Sequence, residues 1–283
     1  MELNRNINSK NSNSPFSGQG GELSIIKIGG NIIDDETKLS SFLQSFASVK
    51  GKKILVHGGG KLATKLADKM GVQQRMIDGR RITDAETLKI VTMVYAGYIN
   101  KNIVAQLQSH GCNAIGLTGA DGNLIQAHKR PPSGVGGIDY GFVGDIDAVN
   151  ADLIKSLLDQ DIAIVAAPIT HDANGNLLNT NADTIAQEMA KAMGKYYTTS
   201  LIYSFEKNGV LLDVNDENSV IATINPAGYA ELKNKQLIFA GMIPKLDNAF
   251  AALDNGVGRV IIGKAEQLQQ LLAGTAGTTI KHE

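Results

Sequence analysis

One cysteine, Cys112, is all the sequence offers in 283 residues, so no internal disulfide can form and a reducing, cytoplasmic compartment is expected. No apolar run reaches the roughly 20 residues needed to span a bilayer. The N-terminus also lacks the basic-then-apolar pattern of a signal peptide. Charge of one sign is missing as well. Lys and Arg number 27 against 28 Asp and Glu, a net charge of -1, which leaves no electrostatic footprint for nucleic acid or an anionic membrane. The histidines at 57, 110, 128, 171 and 282 show no metal-ligand spacing. There is no G-x-S-x-G, so hydrolase and metalloenzyme chemistry find no support. Both common phosphate cradles are absent too. Gly58-Gly59-Gly60-Lys61 lacks the spacer and the Ser/Thr of a P-loop, and nothing reads G-x-G-x-x-G.

What is present is an α/β pattern with 43% hydrophobic residues, enough for one large core or two smaller ones. Residues 1–21 are rich in Asn, Ser and Gly without periodicity and are expected to form a flexible tail, of the kind an expression vector leaves. Beyond it, short apolar runs alternate with amphipathic ones. Strands are expected at Ser24–Ile28, Lys53–Val56, Ala114–Leu117, Ile162–Ala166, Leu201–Ser204 and Arg259–Ile262. Helices are expected over Leu39–Phe46, from Gly60 to about Met70, from a Thr83/Glu86 capping box to about His110, over Ala182–Met193, and over Ile243–Asn255. Residues 118–146 read as hairpins and loops over the sheet. Such alternation implies right-handed crossovers and a mostly parallel sheet covered on both faces, with ligands at the carboxyl ends of the strands. A lobe boundary is expected near residues 194–198, dividing 22–195 from 196–283.

The turns after the first two strands, Gly29-Gly30 and Gly58-Gly59-Gly60, each lead into a helix. Backbone N–H groups there can approach an anion, although the same glycines would also serve a plain tight turn. Lys27 interrupts the apolar run Ile25-Ile26-Lys27-Ile28. A lysine on a buried strand calls for an anion unless its stem reaches solvent at the strand end. Lys245, in Gly241-Met242-Ile243-Pro244-Lys245, opposes the helix dipole it sits on. That makes sense if it shares an anionic ligand with the helix start, an exposed lysine being the alternative. Asn181 is a natural N-cap, with Asp183 in the first turn. Arg80 and Arg81 can clamp a carboxylate or simply lie on the surface.

Taken in register over about residues 24–281, these segments resemble the amino acid kinase family, and within it the acylglutamate kinase branch. The matching motifs are Lys27-Ile28-Gly29-Gly30, His57-Gly58-Gly59-Gly60 and Gly79-Arg80-Arg81-Ile82-Thr83. Gly141-Phe142-Val143-Gly144-Asp145, Asn179-Thr180-Asn181-Ala182-Asp183 and Gly241-Met242-Ile243-Pro244-Lys245 continue the match. The resemblance implies a three-layer αβα sandwich in two lobes. The first lobe would bind acylglutamate and dimerise, and the second would hold ATP, with magnesium bridging its phosphates. It implies that Lys27 and Lys245 neutralise the phosphoryl group in flight while Asp183 orients them. Gly29, Gly30, Gly58 and Gly59 would hold phosphate oxygens, and Arg81 and Asn179 the substrate's α-carboxylate and acylamide. The implied reaction is phosphorylation of the γ-carboxylate of N-acetyl-L-glutamate, or of another N-acylglutamate such as N-succinylglutamate, in arginine biosynthesis.

One segment departs from the family pattern. Where relatives carry Thr-Asp-Val before Gly-Val-Leu, this chain has Phe205-Glu206-Lys207-Asn208-Gly209-Val210-Leu211. Glu206 would then stand in for the aspartate, and Gly209 would contact nucleotide. The arginine-inhibited relatives carry an N-terminal helix that residues 1–21 do not spell, so an arginine-insensitive homodimer is expected. Two further readings stay open: a kinase of the same family acting on a free amino acid or carbamate, and a non-catalytic nucleotide or amino-acid sensor on the same fold.

Overall fold

The computed structural model describes residues 21–77, 80–132, 137–235, 237–238 and 242–283. The expected tail therefore lies outside the described residues up to position 20, as do Gly79 and Gly241.

The first apolar run forms β1 (Glu22–Ile28), in which Leu23 and Ile25 are buried on one face of the sheet and Ile26 and Ile28 on the other. Successive side chains of a strand point to opposite faces, so Lys27 shares the face of Leu23 and Ile25. After the one-turn α1 (Gly30–Ile33) comes α2 (Glu36–Ala47), capped by Asp35, whose carboxylate accepts from the Lys38 N–H at 3.0 Å. It buries Leu39, Phe42, Leu43 and Phe46, as their spacing requires. Next come β2 (Lys52–His57), α3 (Gly60–Lys69) and the hairpin of β3 (Arg75–Ile77) and β4 (Arg80–Ile82).

The long helix is α4 (Ala85–Thr92), a π-helical stretch at Met93–Ile99, and α5 (Asn100–Ser109). Its cap is not the expected Thr83/Glu86 box. Asp84 accepts from the Thr87 N–H at 2.8 Å, which leaves the Thr83 hydroxyl to face Asn179. A carboxylate one residue later competes better for the free N–H groups of a helix start.

Strand β5 (Ala114–Leu117) is followed by β6 (Ile125–Lys129) and β7 (Gly144–Val149). Then come α6 (Ala151–Asp159), β8 (Ala163–Ala166), β9 (Ile169–His171), β10 (Leu177–Asn179) and α7 (Ala182–Met193). The chain closes with β11 (Thr198–Phe205), β12 (Thr223–Ile224), α8 (Pro226–Asn234), α9 (Ile243–Asp254), β13 (Arg259–Lys264), α10 (Leu268–Ala273) and β14 (Thr278–Ile280).

The main sheet runs β12-β14-β13-β11-β1-β2-β8-β5. The pairs β13/β11, β11/β1, β1/β2, β2/β8 and β8/β5 are all parallel, and β14 runs antiparallel to β13. One face packs under α2, the long helix and α10, and the other under α6, α7 and α9. The expected α/β sandwich is thus borne out. The stretch read as hairpins and loops is more ordered than that: β6 and β7 join β9 and β10 in a second, four-stranded sheet. Beside the β6/β7 ladder, Arg130 donates through Nε to both oxygens of Asp145 at 3.0 and 3.1 Å.

Candidate functional site

Six parallel strands end on one edge, and β1, β2 and β11 meet at its middle. Lys27 sits one residue before the end of β1, on the face covered by α7 and α9. That parity brings its Nζ to 2.7 Å from Asp183 Oδ1, in the first turn of α7. Asn181 caps the same helix by accepting from the N–H groups of Asp183 and Thr184 at 2.7 and 3.1 Å. Lys245, in the first turn of α9, lines the same cavity together with Lys27, Asp183, Tyr203, Phe205 and Asn248. Its ammonium lies 4.4 Å from the centre of the Phe205 ring. Burial pulls the Lys245 ammonium below the ordinary lysine value; Asp183 opposes that fall and Lys27 adds to it. Two cations thus line one cavity with a single carboxylate, which is paired to Lys27, an imbalance that favours a further anion.

The glycine turn after β2 lies across the sheet plane from this pair. Gly59 has φ +150°, and a Cβ there would stand 2.3 Å from Ile99 Cδ1 and 3.1 Å from the Tyr95 ring. Both neighbours come from the π-helical stretch, which carries Tyr95 and Ile99 over the turn. The Gly58 N–H donates to Ile28 O at 3.2 Å and so is engaged within the sheet edge. Gly29 caps α1, and a Cβ on it would lie 4.0 Å from the Lys27 ammonium, which shows how close that backbone runs to the cation. Gly30 is the first residue of α1. His57, ending β2, is fully buried. Its Nδ1 meets Gly58 O at 2.8 Å, and its Nε2 meets Asn100 Nδ2 at 3.2 Å. Burial pushes its pKa down to about 4, so the ring is neutral near pH 7.

Arg81 is buried rather than on the surface. Its guanidinium donates to Gly60 O at 2.8 Å, to Thr64 Oγ1 at 2.9 Å and to Gln74 Oε1, tying the β3/β4 hairpin to the start of α3. Arg80 on the same strand is exposed. Asn179 ends β10 and donates to Thr83 Oγ1 at 3.0 Å, while its N–H donates to Phe142 O at 2.9 Å. Three motifs distant in sequence therefore meet at one corner.

Beyond Lys245 and Phe205 a second cavity of about 540 Å³ opens, lined by Gly209, Val210, Leu211, Leu212, Ile238 and Met242 among others. Lys245 and Phe205 line both cavities. Glu206 lies apart from the lysine pair, in a third cavity with Asp34, Asp35, Lys38, Lys61 and Lys264. The residues not foreseen are Tyr95, Tyr203, Phe205 and Asn248. Of these, Tyr203 carried a readable signal, since it pairs with Lys27 in the parallel register of β1 and β11. The others needed the helix packing.

The model of the amino acid kinase family matches residues 22–264. The acetylglutamate kinase of Cytophaga hutchinsonii is 59% identical over 251 residues, covering 89% of this chain and 94% of that protein. The acetylglutamate kinase of Parabacteroides distasonis is 55% identical over 249 residues, covering 88% and 96%. Among solved structures, carbamate kinase from Giardia lamblia bound to AMP-PNP superposes with a TM-score of 0.67. That match covers 94% of this chain and 99% of that one at 15% identity, a likeness of fold.

Proposed function

The chain belongs to the amino acid kinase family, and on that premise we propose that it transfers the γ-phosphoryl group of ATP to the γ-carboxylate of N-acetyl-L-glutamate or a close N-acylglutamate. The product is an acyl phosphate, and the reaction is a step of arginine biosynthesis. The observation that carries the reading is the pair Lys27 and Lys245 flanking Asp183 in one cavity.

Phosphoryl transfer spreads charge over equatorial oxygens, so positioned cations do most of what a protein must supply. A γ-carboxylate is already ionised at neutral pH, and no general base is required. Two ammonium groups about 4 Å apart repel by roughly 4 kcal/mol at an effective dielectric of 20. Asp183 offsets that repulsion before substrate arrives, and the transferring group completes the neutralisation. ATP enters as a co-substrate with magnesium on its phosphates. Its base and ribose would occupy the apolar cavity at Gly209–Leu212, and its phosphates would pass Lys245 toward Lys27. Arg81 would serve the substrate α-carboxylate and Asn179 the acylamide, with Gly29, Gly30, Gly58 and Gly59 around the transferred group. The acyl group protects the product. A free α-amine would close a five-membered ring onto the acyl phosphate, where effective molarities reach about 10⁵–10⁸ M.

The division of labour at residues 195 and 196, acylglutamate before and nucleotide after, belongs to this reading, as does a homodimer paired through the first lobe. No helix among the described residues is long and apolar enough to cross a membrane. A sedimentation mass near six protomers, or inhibition by submillimolar arginine, would overturn the arginine-insensitive homodimer. The function itself is tested by coupled ADP release with ATP and magnesium, trapping acyl phosphate with hydroxylamine. The panel is N-acetylglutamate, N-succinylglutamate, glutamate, aspartate and carbamate. Hydroxamate from an N-acylglutamate but not from glutamate is expected. Turnover of none, with ATP still bound, would instead favour a sensor.

A further inference from the structure

The kinase reading leaves one buried group without a task. His57 lies 0% exposed at the end of β2, facing α5 rather than the lysine pair. Asn100 Nδ2 can only donate, so the His57 Nε2 it meets at 3.2 Å is the bare nitrogen. The proton is then on Nδ1, which donates to Gly58 O at 2.8 Å. The tautomer is fixed from behind, since Asn100 is itself held by Val165 O at 3.0 Å and by Lys101 Nζ at 3.0 Å on its oxygen.

The Gly58 carbonyl and the Gly59 N–H belong to one peptide, and none of the described peptides is cis. In a planar trans peptide the C=O and N–H point in opposite directions. A carbonyl drawn onto the His57 ring therefore turns the Gly59 N–H away from it. Gly59, at φ +150°, lacks the Cβ that would restrict rotation of that peptide, so the His57 contact is the hydrogen bond that sets its plane. No acceptor for the Gly59 N–H is found among the described residues, whereas the neighbouring Gly58 N–H is taken by Ile28 O.

Building on the kinase reading, we propose that His57 is a positioning residue: its Nδ1–H pins the Gly58–Gly59 peptide so that the Gly59 N–H is preset to donate to an oxygen of the transferring phosphoryl group. The substrate gains no contact with His57 itself. Its role is to remove, before binding, a peptide rotation that would otherwise have to be stopped during transfer.

The pair His57→Asn and His57→Gln tests this. An Asn amide reaches the place of Nδ1 and can still donate to Gly58 O, whereas a Gln amide reaches the place of Nε2 and cannot. Both are polar and neutral, so a role in filling the core would penalise them alike. His57→Gln is expected to lower kcat about 30-fold, below the 10²–10³ typical for outright loss of an oxyanion donor, with KM for both substrates within about twofold. His57→Asn should keep kcat within about threefold of wild type. Independently of turnover, inorganic tripolyphosphate should shift the Gly59 amide resonance in wild type and His57→Asn but not in His57→Gln. Equal kcat and equal amide shifts for the two variants would overturn the proposal. Absence of wild-type turnover with the amide shifts intact would overturn the kinase reading instead.

Discussion

Around Gly59 the backbone is locked from several sides, while the two lysines nearby are held by one carboxylate and one ring. On the glycine flank, His57, Asn100, Arg81, Tyr95 and Ile99 are all buried; His57 and Asn100 bond each other and backbone carbonyls, and Arg81 bonds Gly60 O, Thr64 and Gln74. On the lysine flank, Asp183 keeps 39% of its side chain exposed, and Lys245 rests against Phe205 at the mouth of an open apolar cavity. The first arrangement is close-packed and hydrogen-bonded internally except at the Gly59 N–H, which finds no acceptor among the described residues. The second is a charge imbalance of two cations to one anion, which under the proposed mechanism the transferring phosphoryl group would correct. Rigid donors on one side and unspent positive charge on the other suit a reaction whose transition state is mostly redistributed negative charge.

The largest effect should follow removal of charge from the open flank. Lys27→Ala is expected to lower kcat by about 10³-fold or more in the hydroxamate assay. Its melting temperature should barely move, because an ion pair with a part-exposed carboxylate contributes little to stability. A loss under tenfold would mean that the charge imbalance is not what drives transfer. On the packed flank the balance should reverse. In Gly59→Ala the new methyl meets Ile99 Cδ1 at 2.3 Å in a backbone conformation that side chains avoid. Urea unfolding should then show a loss of about 3 kcal/mol, together with loss of activity. An alanine variant as stable as wild type would show that the turn is looser than its contacts imply.

The open flank was the more legible in the sequence. Lys27 in an apolar strand and Lys245 opposing a helix dipole both break a local rule, and a local rule broken without local compensation points outward to a ligand. The helix Ala182–Met193 was readable to the residue because Asn181 and Asp183 mark its start in sequence. The packed flank obeys local rules and so gave little away. Arg81 looked like any loop arginine until Thr64, Gln74 and Gly60 closed around it. Glu206 was given the aspartate's place by alignment with the family, yet it lies in a separate cavity from the lysines, and Phe205 beside it faces Lys245. Strand parity decides which of two adjacent residues turns to a site, and at a strand's last residues that parity is set by the neighbouring helices. The second sheet is not spelled by the sequence because its strands are three to six residues long and scattered along the chain, with α6 and β8 between β7 and β9.

The packed flank also makes a prediction in acid. His57 has its pKa pushed down to about 4 from 6.5 by burial, so the fold favours its neutral form. That stability is fully present above the unfolded value and is lost as pH falls toward the folded one. Between pH 7 and pH 5 the histidine should account for a fall of about 2 kcal/mol in unfolding free energy. In His57→Asn that part of the slope should vanish. A wild-type slope unchanged by the substitution would show that other groups carry the acid sensitivity.

The smallest expected effect lies where the two flanks are most unlike, in the ring that stands in for a hydrogen bond. In the proposed mechanism Lys245 is protonated to neutralise the transferring group, and burial already lowers its pKa, so activity should fall as pH rises through that lowered value. The face of Phe205, 4.4 Å from the ammonium, favours the charged form. A cation–π contact of this kind contributes about 1 kcal/mol. Phe205→Leu keeps the apolar wall but removes the ring's quadrupole. Its alkaline limb of kcat should therefore move to lower pH by about half a unit, with a modest loss of kcat below it. Asp183 still opposes the fall in that variant, which is why the shift should be small. A limb that stays in place or moves to higher pH would mean that Asp183 alone holds the second lysine in its charged form, and that the ring only fills space.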